Sequence, residues 1–301
     1  MVMKVLDAHH GENFSAYHAD CVEGVGKLPA NSIGFSIYSP PFSHLFIYSD
    51  SERDMGNVSN DDEFLEQYGF LLREMHRVTK PGRLTAVHCT DMPRTKSMHG
   101  EIGLWDMPGA IIEAHKASGW TYHSRITIWK DPVVEMQRTK AHGLLYKTFQ
   151  KDSSRVRQGL PDYLLVFRKT PDDEKATDPV GKDRRLFPVS QWQQWASPVW
   201  MDIDQTNVLN ARPEKDPKDE KHLCPLQLDL IERAIRLWSN EGDTVLSPFM
   251  GIGSEGWGAL KCKRRFVGFE LHPKYFPQAV KNLTHMANTA FGGDLFEGAA
   301  A

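Results

Sequence analysis

Short apolar runs alternate along the chain with longer stretches in which apolar residues recur at helical spacing. The run at 32–38 (SIGFSIY) predicts a buried strand, and the prolines that follow must end it because proline cannot continue the hydrogen-bond ladder. Further strands are predicted at 84–89, 121–129, 163–167, 243–246 and 266–270. Strands that alternate with helices favour an α/β fold with a doubly wound, mostly parallel sheet.

Helix start and stop signals lie between these strands. Asn60 opens a capping box before apolar positions that repeat at helical spacing over 64–78. Pro108 begins a second helix, which Gly119 can close, and Pro225 begins a third, amphipathic one.

Two stretches interrupt this alternation. Residues 131–160 are rich in polar and basic side chains and predict a surface excursion. The basic residues of this excursion are Arg138, Lys140, Lys147, Lys151, Arg155 and Arg157. Residues 171–220 are acidic and contain prolines, but they also carry three tryptophans, which is rare in a solvated linker. We therefore expect a small packed unit there.

Composition narrows the class of protein. The 301 residues are 40% apolar and 25% charged, as in ordinary globular domains, and no apolar run is long enough to cross a membrane. The amino-terminal residues lack the apolar stretch of a secretory signal, so we expect a cytoplasmic location. The four cysteines are far apart and form no C-x-x-C pair, and the 13 histidines form no ligand-spaced cluster. Neither disulfides nor a metal site are expected.

A glycine-rich turn follows the strand at 243–246. Gly251 and Gly253 allow backbone to approach a ligand without a Cβ in the way, and Glu270 ends the next strand, where a carboxylate can accept hydrogen bonds from ribose hydroxyls. This unit predicts nucleotide binding. With Gly256 it also fits G-x-G-x-x-G with an acidic residue about 20 positions on, so an NAD-dependent oxidoreductase is one candidate. Only about 30 residues follow Glu270, so the rest of the sheet must come from upstream sequence.

The tetrapeptide SPPF at 39–42, at the end of a predicted strand, makes the prediction specific. Together with the F-x-G-x-G turn at 249–253 it resembles the S-adenosylmethionine-dependent DNA amino-methyltransferases, which methylate N4 of cytosine or N6 of adenine. The catalytic motif of that family is Asp, Asn or Ser, then Pro-Pro and an aromatic residue. Because SPPF precedes the glycine turn, the order of motifs resembles the circularly permuted beta class.

The resemblance implies that the catalytic residues are Ser39, Pro40, Pro41 and Phe42. The hydroxyl oxygen of Ser39 and the carbonyl oxygen of Pro40 can accept the two protons of the target amine, which localises the nitrogen lone pair. The rigid proline pair holds that geometry in advance. Phe42 would stack on the base, which must leave the duplex to reach such a pocket.

The resemblance also implies a set of cofactor contacts. These residues are Asp20, Cys224, Pro225, Ser247, Pro248, Phe249, Gly251, Gly253 and Glu270. Asp20 resembles the family's acidic contact to the adenine ring, and a solvated aspartate at a strand end is the competing interpretation. Cys224 and Pro225 lie in a segment that resembles the one closing over the methionine part. The family usually has aspartate where this chain has Ser247, so we expect the charged methionine end to be held differently.

These assignments divide the chain into five predicted parts. They are a catalytic half (1–130), a DNA-contacting excursion (131–160), a returning strand (161–170), a target-recognition segment (171–220) and a cofactor half (221–301). A net charge of −3 means that DNA must be bound by a local basic patch, which the excursion provides. Trp129, at a strand end, could line the base pocket, although core packing is the favoured role.

Ser39 favours N4 of cytosine as the methylated atom, since aspartate is usual at this position in the N6-adenine enzymes; adenine N6 is the alternative. Cytosine C5 chemistry needs a cysteine nucleophile in a Pro-Cys pair, and Cys224-Pro225 has the reverse order. A companion restriction endonuclease could accompany such an enzyme. The other candidates are the NAD-dependent oxidoreductase, a non-catalytic DNA-binding protein, and a protein or RNA methyltransferase.

Asp162 and the acidic residues at 173–174 mimic a magnesium nuclease signature. We reject a nuclease because residues 173–175 belong to a polar turn and not to a strand on which carboxylates could share a metal.

Overall fold

This computed structural model describes residues 5–42, 55–94, 96, 100–139, 146–185, 187–209 and 226–292. Eleven strands lie in this part of the chain, and nine of them form one sheet. The strands are β1 (Asp7–His10), β2 (Phe14–His18), β3 (Ile33–Tyr38), β4 (Thr79–Thr90), β5 (Met92–Arg94), β6 (Gly103–Trp105), β7 (Thr121–Ile128), β8 (Asp162–Arg168), β9 (Val199–Trp200), β10 (Thr244–Ser247) and β11 (Arg265–Glu270). The helices are α1 (Cys21–Val25), α2 (Asp61–Val78), α3 (Met107–Ala117), α4 (Pro132–Thr139), α5 (Tyr146–Lys151), α6 (Val189–Trp195), α7 (Leu228–Trp238), α8 (Ser254–Lys261) and α9 (Tyr275–Phe291). Over these ranges, none of the helices has the length and apolar character to span a membrane.

The strands run in the order β1-β2-β11-β10-β3-β4-β8-β7-β9, and β5 and β6 form a separate two-stranded sheet. The central strands from β2 to β4 are parallel to one another. β8 runs antiparallel to β4, and β7 runs antiparallel to β8, so β7 points the same way as β4. This arrangement confirms the predicted doubly wound, mostly parallel α/β fold.

Two hydrophobic layers cover the sheet. One layer packs α7, α8 and α9 against it and includes Phe35 and Val245. The other packs α1, α2 and α3 against the opposite face and includes Val87 and Phe269. Because successive side chains on a strand alternate between faces, the central strands contribute to both layers. This double coverage is why these strands are almost continuously apolar in sequence.

The capping box at the start of α2 forms as predicted. The side chain of Asn60 accepts a hydrogen bond from the N–H of Glu63 at 2.9 Å, and the N–H of Ser59 donates to the Glu63 carboxylate at 2.8 Å. The Asn60 side chain satisfies one backbone donor of the first helical turn, and the Glu63 carboxylate fixes the residue before the cap. Six core side chains of α2 then face the sheet, which confirms the helical spacing seen in the sequence.

The tryptophan-containing segment 171–220 joins the main sheet through β9, within its described residues. We expected a small unit of its own, but β9 pairs in parallel with β7 and extends the sheet edge. Trp200 is 1% exposed and belongs to the same core layer as α7. The guanidinium of Arg233 on α7 lies 5.2 Å from the Trp195 ring centre and 4.8 Å from that of Trp200. Trp200 therefore belongs to the main core, whereas Trp192 is 56% exposed.

Candidate active site

The loops that carry the two sequence motifs leave the sheet side by side. β3 and β10 are hydrogen-bonded parallel neighbours, with Phe35 opposite Val245. Because parallel strands end at the same edge, the SPPF turn at 39–42 and the glycine turn at 248–253 lie next to each other at the carboxyl edge, where open α/β sheets bind ligands. The rings of Tyr38 and Phe249, with centroids 5.9 Å apart, link the two loops.

The glycine turn needs glycine at two positions. The φ angles of Gly251 and Gly253 are 54° and 90°, in the left-handed region that other residues adopt only with strain. Glu270 at the end of β11 fixes the turn by accepting hydrogen bonds from the N–H groups of Gly251 and His272, each at 2.7 Å. A carboxylate has about four acceptor sites, so Glu270 can accept further hydrogen bonds from a ligand.

Ser247, the last residue of β10, brings a buried hydroxyl to this crevice. Its Oγ has no hydrogen-bond partner in the described part of the structure. A buried polar atom without a partner is costly unless a ligand or a water satisfies it. Pro248 is buried beside it, and the space where Gly251 would carry a Cβ is open. These features fit a site that receives a polar ligand.

Asp20 borders the same crevice from the end of β2. The N–H of Ala19 donates to the carbonyl of Glu270 at 3.1 Å, which brings Asp20 close to Glu270. The Asp20 carboxylate also caps α1 by accepting from the N–H of Glu23 at 2.8 Å. Burial and then the negative charge of Asp20 raise the pKa of the Cys21 thiol, which disfavours its thiolate form. Asp20 therefore caps a helix, which the sequence analysis did not predict, at a position that also borders the crevice.

Ser39 follows β3 directly, and its hydroxyl is engaged. Oγ lies 2.9 Å from Nδ1 of His88 on β4. Pro40 is buried, Pro41 is half-buried, and the Phe42 ring packs partly against the core layer of α2. These contacts hold the Ser39 oxygen in one position at the carboxyl edge.

His88 begins a chain of buried polar groups behind the SPPF turn. Its Nε2 lies 3.1 Å from Oδ2 of Asp162, although the N–H bond does not point straight at that oxygen. The other Asp162 oxygen is 2.7 Å from Nζ of Lys130, which lies 3.8 Å from a carboxylate oxygen of Glu135. His88 and Asp162 are 8% and 4% exposed. The Ser39 hydroxyl is thus connected to a network of charged groups that solvent barely reaches.

The alternation of strand side chains explains why these groups meet. Each of four side chains lies two positions from a residue of the core layer that packs against α7, on the side of the carboxyl edge. The pairs are Ser39 after Ile37, His88 after Ala86, Asp162 before Leu164 and Lys130 after Ile128. Residues two apart on a strand share a face. The four side chains therefore continue one row of the core into the crevice, where polar groups replace apolar ones.

Asp162 is the ionised centre of this network. Burial raises its pKa, but the charges and hydrogen bonds of His88 and Lys130 together outweigh burial and hold the pKa at about 2. The carboxylate is therefore negative at neutral pH and compensates the buried ammonium of Lys130.

A second buried carboxyl lies in the first turn of α8. Burial raises the pKa of Glu255 to about 8, and the negative charge of Glu270 contributes to the rise. Glu255 is therefore mostly protonated at neutral pH. It does not replace the negative charge that an aspartate at position 247 would bring to the crevice.

The described residues of the basic excursion, 131–139 and 146–160, contain α4, α5 and a 3-10 turn at Ser153–Arg155. Lys147, Lys151 and Arg155 are exposed, and Arg157 is half-buried. Arg138 belongs to α4. The described basic side chains thus reach solvent, as a phosphate-contacting surface requires.

Some predicted residues lie elsewhere than expected or are not described. Lys140, Cys224 and Pro225 lie outside the described residues. The side chain of Trp129 is 42% exposed at the end of β7, so the favoured expectation of core packing was wrong. Trp129 directly precedes Lys130 and thus borders the polar network.

The nuclease-like pattern has no counterpart in the fold. Asp162 begins β8, whereas Asp173 and Glu174 follow its other end. Glu174 instead binds the guanidinium of Arg168 through two contacts of 2.6 and 2.7 Å. Within the described ranges, no group of three or more His, Cys, Asp or Glu side chains could hold a metal ion.

Sequence reasoning did not assign His88, Lys130 or Glu135 to the site and considered Asp162 only as part of the nuclease pattern. One signal was present: His88 is a polar residue inside an apolar strand, at 84–89. A single polar residue in a strand does not say which side chains it meets. That information came from the pairing of β8 with both β4 and β7.

The fold and the site define an α/β nucleotide-binding protein of the methyltransferase type. The chain belongs to the DNA methylase family N6_N4_Mtase, which matches residues 33–281. It is 27% identical over 205 residues to the Type II methyltransferase M.MjaI of Methanocaldococcus jannaschii, a match that covers 68% of this chain and 62% of that protein. The chain therefore spans less than two thirds of this relative's length.

Solved structures agree on the fold. TTHA0409 of Thermus thermophilus, solved with S-adenosylmethionine, superposes with a TM-score of 0.65 at 21% identity over 89% of this chain and 92% of that one. The cytosine-N4-specific PvuII DNA methyltransferase superposes with a TM-score of 0.61 at 16% identity over 94% of both chains. The cofactor of this family is S-adenosylmethionine, which confirms the cofactor prediction and excludes the NAD-dependent oxidoreductase.

Proposed function

We propose that this protein transfers a methyl group from S-adenosylmethionine to the exocyclic N4 nitrogen of cytosine in DNA. The observation that carries this proposal is the adjacency of the SPPF turn and the glycine turn at the ends of the neighbouring strands β3 and β10. Methyl transfer needs the acceptor nitrogen and the methyl carbon in line and about 3–3.5 Å apart. Two turns on adjacent parallel strands can hold both reactants at that separation.

The residues of the glycine turn and its neighbours would hold the cofactor, which supplies an electrophilic methyl group. Glu270 would accept hydrogen bonds from the ribose hydroxyls, and Asp20 would contact the adenine ring. The unpartnered hydroxyl of Ser247 would bind the methionine part. Cys224 and Pro225 would close over that part. Since the serine brings no charge, the methionine ammonium is held by neutral acceptors at this position.

The SPPF turn would prepare the acceptor. The lone pair of an exocyclic amine is delocalised into the base ring, so the nitrogen is a poor nucleophile. Ser39 Oγ and the Pro40 carbonyl would accept its two protons and thereby localise the lone pair. Phe42 would stack on the base, which reaches this pocket only after flipping out of the duplex.

Cytosine is favoured over adenine by Ser39. A serine at the first motif position is typical of the N4-cytosine enzymes, and aspartate is typical of the N6-adenine enzymes. Adenine N6 is the second candidate, because the matching family covers both bases and both offer an amine beside a ring nitrogen.

The first prediction concerns the product. Incubation with unmethylated DNA and labelled S-adenosylmethionine, followed by digestion to nucleosides and mass spectrometry, should yield N4-methylcytosine. N6-methyladenine would keep the mechanism and overturn the choice of base. Absence of any methylated nucleoside, in a sample that binds the cofactor by calorimetry, would reject methyl transfer to DNA and favour a non-catalytic DNA-binding protein.

We propose that DNA is bound by the basic excursion. The exposed side chains of Lys147, Lys151 and Arg155 supply positive charge for phosphates. Tyr146 and Phe149 among them are 70% and 53% exposed, and their ring centroids lie 6.1 Å apart. Exposed aromatic rings between basic residues are typical of surfaces on which nucleobases stack.

The second prediction tests this surface. Replacing Lys151, Arg155 and Arg157 together with alanine should weaken DNA binding and reduce the slope of log Kd against log salt concentration by about 2 to 3, because each phosphate contact contributes about 0.9. A control that removes the same charge elsewhere, Lys116, Lys261 and Lys281 to alanine, should leave the slope nearly unchanged. Equal slopes in all three proteins would reject the assignment.

Segment 171–220 and the excursion would share the reading of the target sequence. Trp192 and Met201 in that segment are 56% and 68% exposed, so they are accessible to DNA. As a DNA-modifying enzyme, the protein would act in the cytoplasm of a prokaryotic or phage-infected cell, where a restriction endonuclease of the same specificity could accompany it.

A further inference from the structure

We propose that His88, held by Asp162, orients the Ser39 hydroxyl and accepts the proton that the target amine releases during methyl transfer. This role rests on the proposed function and adds a positioning residue to it, since His88 acts through Ser39. Two contacts carry it: Ser39 Oγ to His88 Nδ1 at 2.9 Å and His88 Nε2 to Asp162 Oδ2 at 3.1 Å.

The carboxylate of Asp162 selects one tautomer of His88. A negative oxygen beside Nε2 favours the proton on Nε2 and leaves the lone pair on Nδ1. The Ser39 hydroxyl then donates its proton to Nδ1, so its oxygen is left with lone pairs that can accept a proton from the amine. Without His88 the Ser39 hydroxyl group can rotate. In some orientations its proton then points at the target amine, which is itself a hydrogen-bond donor, so the oxygen cannot accept from the amine.

The proton transfer balances the charge that methylation creates. A bond forms between the amine nitrogen and the methyl carbon while the bond from that carbon to the sulfonium sulfur breaks. The nitrogen, now positively charged, passes one proton to Ser39 Oγ as the Ser39 hydroxyl proton moves to His88 Nδ1. The products are the methylated base, a neutral thioether and an imidazolium beside Asp162, which returns the proton to solvent after product release.

The network beyond His88 suits a transient positive charge. In the resting state Asp162 is paired with Lys130 at 2.7 Å, and Lys130 lies 3.8 Å from Glu135. When His88 becomes an imidazolium, positive and negative groups alternate from His88 to Glu135. In a site with little solvent, this alternation offsets the cost of burying the added charge.

Serine, histidine and aspartate in this order also occur in hydrolases, in which the serine is the nucleophile. The turn after Ser39 argues against that chemistry here. Pro40 and Pro41 have no backbone N–H, so the positions after the serine cannot donate to an oxyanion. The SPPF turn therefore suits proton acceptance by Ser39 and not acyl transfer.

This role makes the rate depend on the ionisation of His88. The charged groups around it are Asp162 on β8, Lys130 after β7 and Glu135 on α4, and β3 contributes the uncharged Ser39. Asp91, which follows β4, interacts with Arg125 and Asp106. An imidazolium donates from Nδ1 to Ser39 and cannot take a proton, so the proposed step needs His88 in its neutral form.

The third prediction uses His88→Asn, whose side-chain oxygen can keep the hydrogen bond to Ser39 but cannot take up a proton. At saturating DNA and cofactor and about pH 8, its single-turnover rate should be about 10²-fold below that of the unchanged protein. The rate of the unchanged protein should rise with pH, and that of His88→Asn should stay flat. In a Ser39→Ala background, His88→Asn should add little, because residues that act as a unit are not additive.

Controls separate the ways in which this proposal can fail. His123→Asn replaces an exposed histidine on β7 and should leave the rate and the pH profile unchanged. Calorimetric affinity for S-adenosylmethionine should be the same in all variants, which shows that they fold. If the unchanged protein makes no methylated nucleoside, the proposed function itself fails. If it does, and His88→Asn keeps its rate and its rise with pH, only the role of His88 is overturned.

Discussion

Replacing Ser39 with alanine is expected to slow single-turnover methyl transfer by about 10³-fold while the affinity for S-adenosylmethionine stays within about twofold. Ser39 would hold the amine in the orientation that frees its lone pair, and it would pass the released proton to His88. Removing one group that stabilises charge in a transition state costs about 10²–10³-fold, and Ser39 has both roles. The cofactor is unaffected because the glycine turn belongs to β10 and not to β3.

The matched control for this variant is Ser32→Ala, at the opposite end of β3, where the hydroxyl donates to the carbonyl of Pro29 at 2.7 Å. Its single-turnover rate should equal that of the unchanged protein. A Ser39→Ala protein that methylates DNA at more than about a tenth of the normal rate would remove Ser39 from the chemistry, since a hydrogen bond of ordinary strength is worth about that much.

Replacing Asp162 with asparagine is expected to lower the free energy of unfolding by about 3 kcal/mol. Asparagine keeps the shape of the side chain but loses the charge, and the ammonium of Lys130, 8% exposed, then stays buried without its closest counter-ion. Urea unfolding followed by circular dichroism measures the change. Glu174→Gln, which removes an exposed partner of Arg168, should leave the free energy of unfolding nearly unchanged.

A double variant tests whether the cost comes from the unpaired charge. Asp162→Asn combined with Lys130→Met should lower the free energy of unfolding by less than the sum of the two single changes. Each single variant leaves one charge of the buried pair without its partner, whereas the double variant removes both charges. Additive losses would show that the two side chains do not stabilise each other, despite the 2.7 Å contact between them.

The same carboxylate contributes to the pH dependence of stability. Its pKa lies at about 2 in the folded protein, below the ordinary value of 3.8, so its stabilising effect is complete above about pH 4 and is lost as pH falls towards 2. Asp162→Asn should lack this part of the acid-induced loss of stability. Its urea midpoint should therefore fall less between about pH 4 and 2 than that of the unchanged protein.

The cofactor half of the site could be predicted from the sequence because the residues that indicate it lie close together along the chain. The turn around Gly251 and Gly253, the helix after it and the acidic end of the next strand lie within one short strand-turn-helix-strand unit. Their spacing is dictated by the backbone, since only glycine adopts the φ angles of 54° and 90° without strain. The SPPF motif is likewise contiguous. Local geometry therefore predicted a nucleotide-like ligand and the residues of both turns, and the resemblance to the methyltransferase family specified the cofactor.

The sequence was less informative where long-range packing decides the outcome. The three tryptophans between 171 and 220 indicated packing but not against what, and only the pairing of β9 with β7 placed Trp200 in the main core. Trp129 looked like a core residue because it continues an apolar strand. Its N–H still donates to the carbonyl of Trp200 at 3.0 Å, but its side chain is 42% exposed beyond the last core residue of β7.

The sequence by itself determined the α/β class, six strands of the main sheet (β3, β4, β7, β8, β10 and β11), the glycine turn and the SPPF turn, because each follows from local backbone preference and from the period of apolar positions. Only the tertiary structure decided which polar side chains are connected to the Ser39 hydroxyl. His88, Asp162 and Lys130 lie on three different strands, and none has a neighbour in sequence that marks its role. They meet because β8 runs antiparallel between β4 and β7, which brings the start of one strand to the ends of two others. Strand order and direction are properties of the whole sheet, and no single segment of the chain carries them.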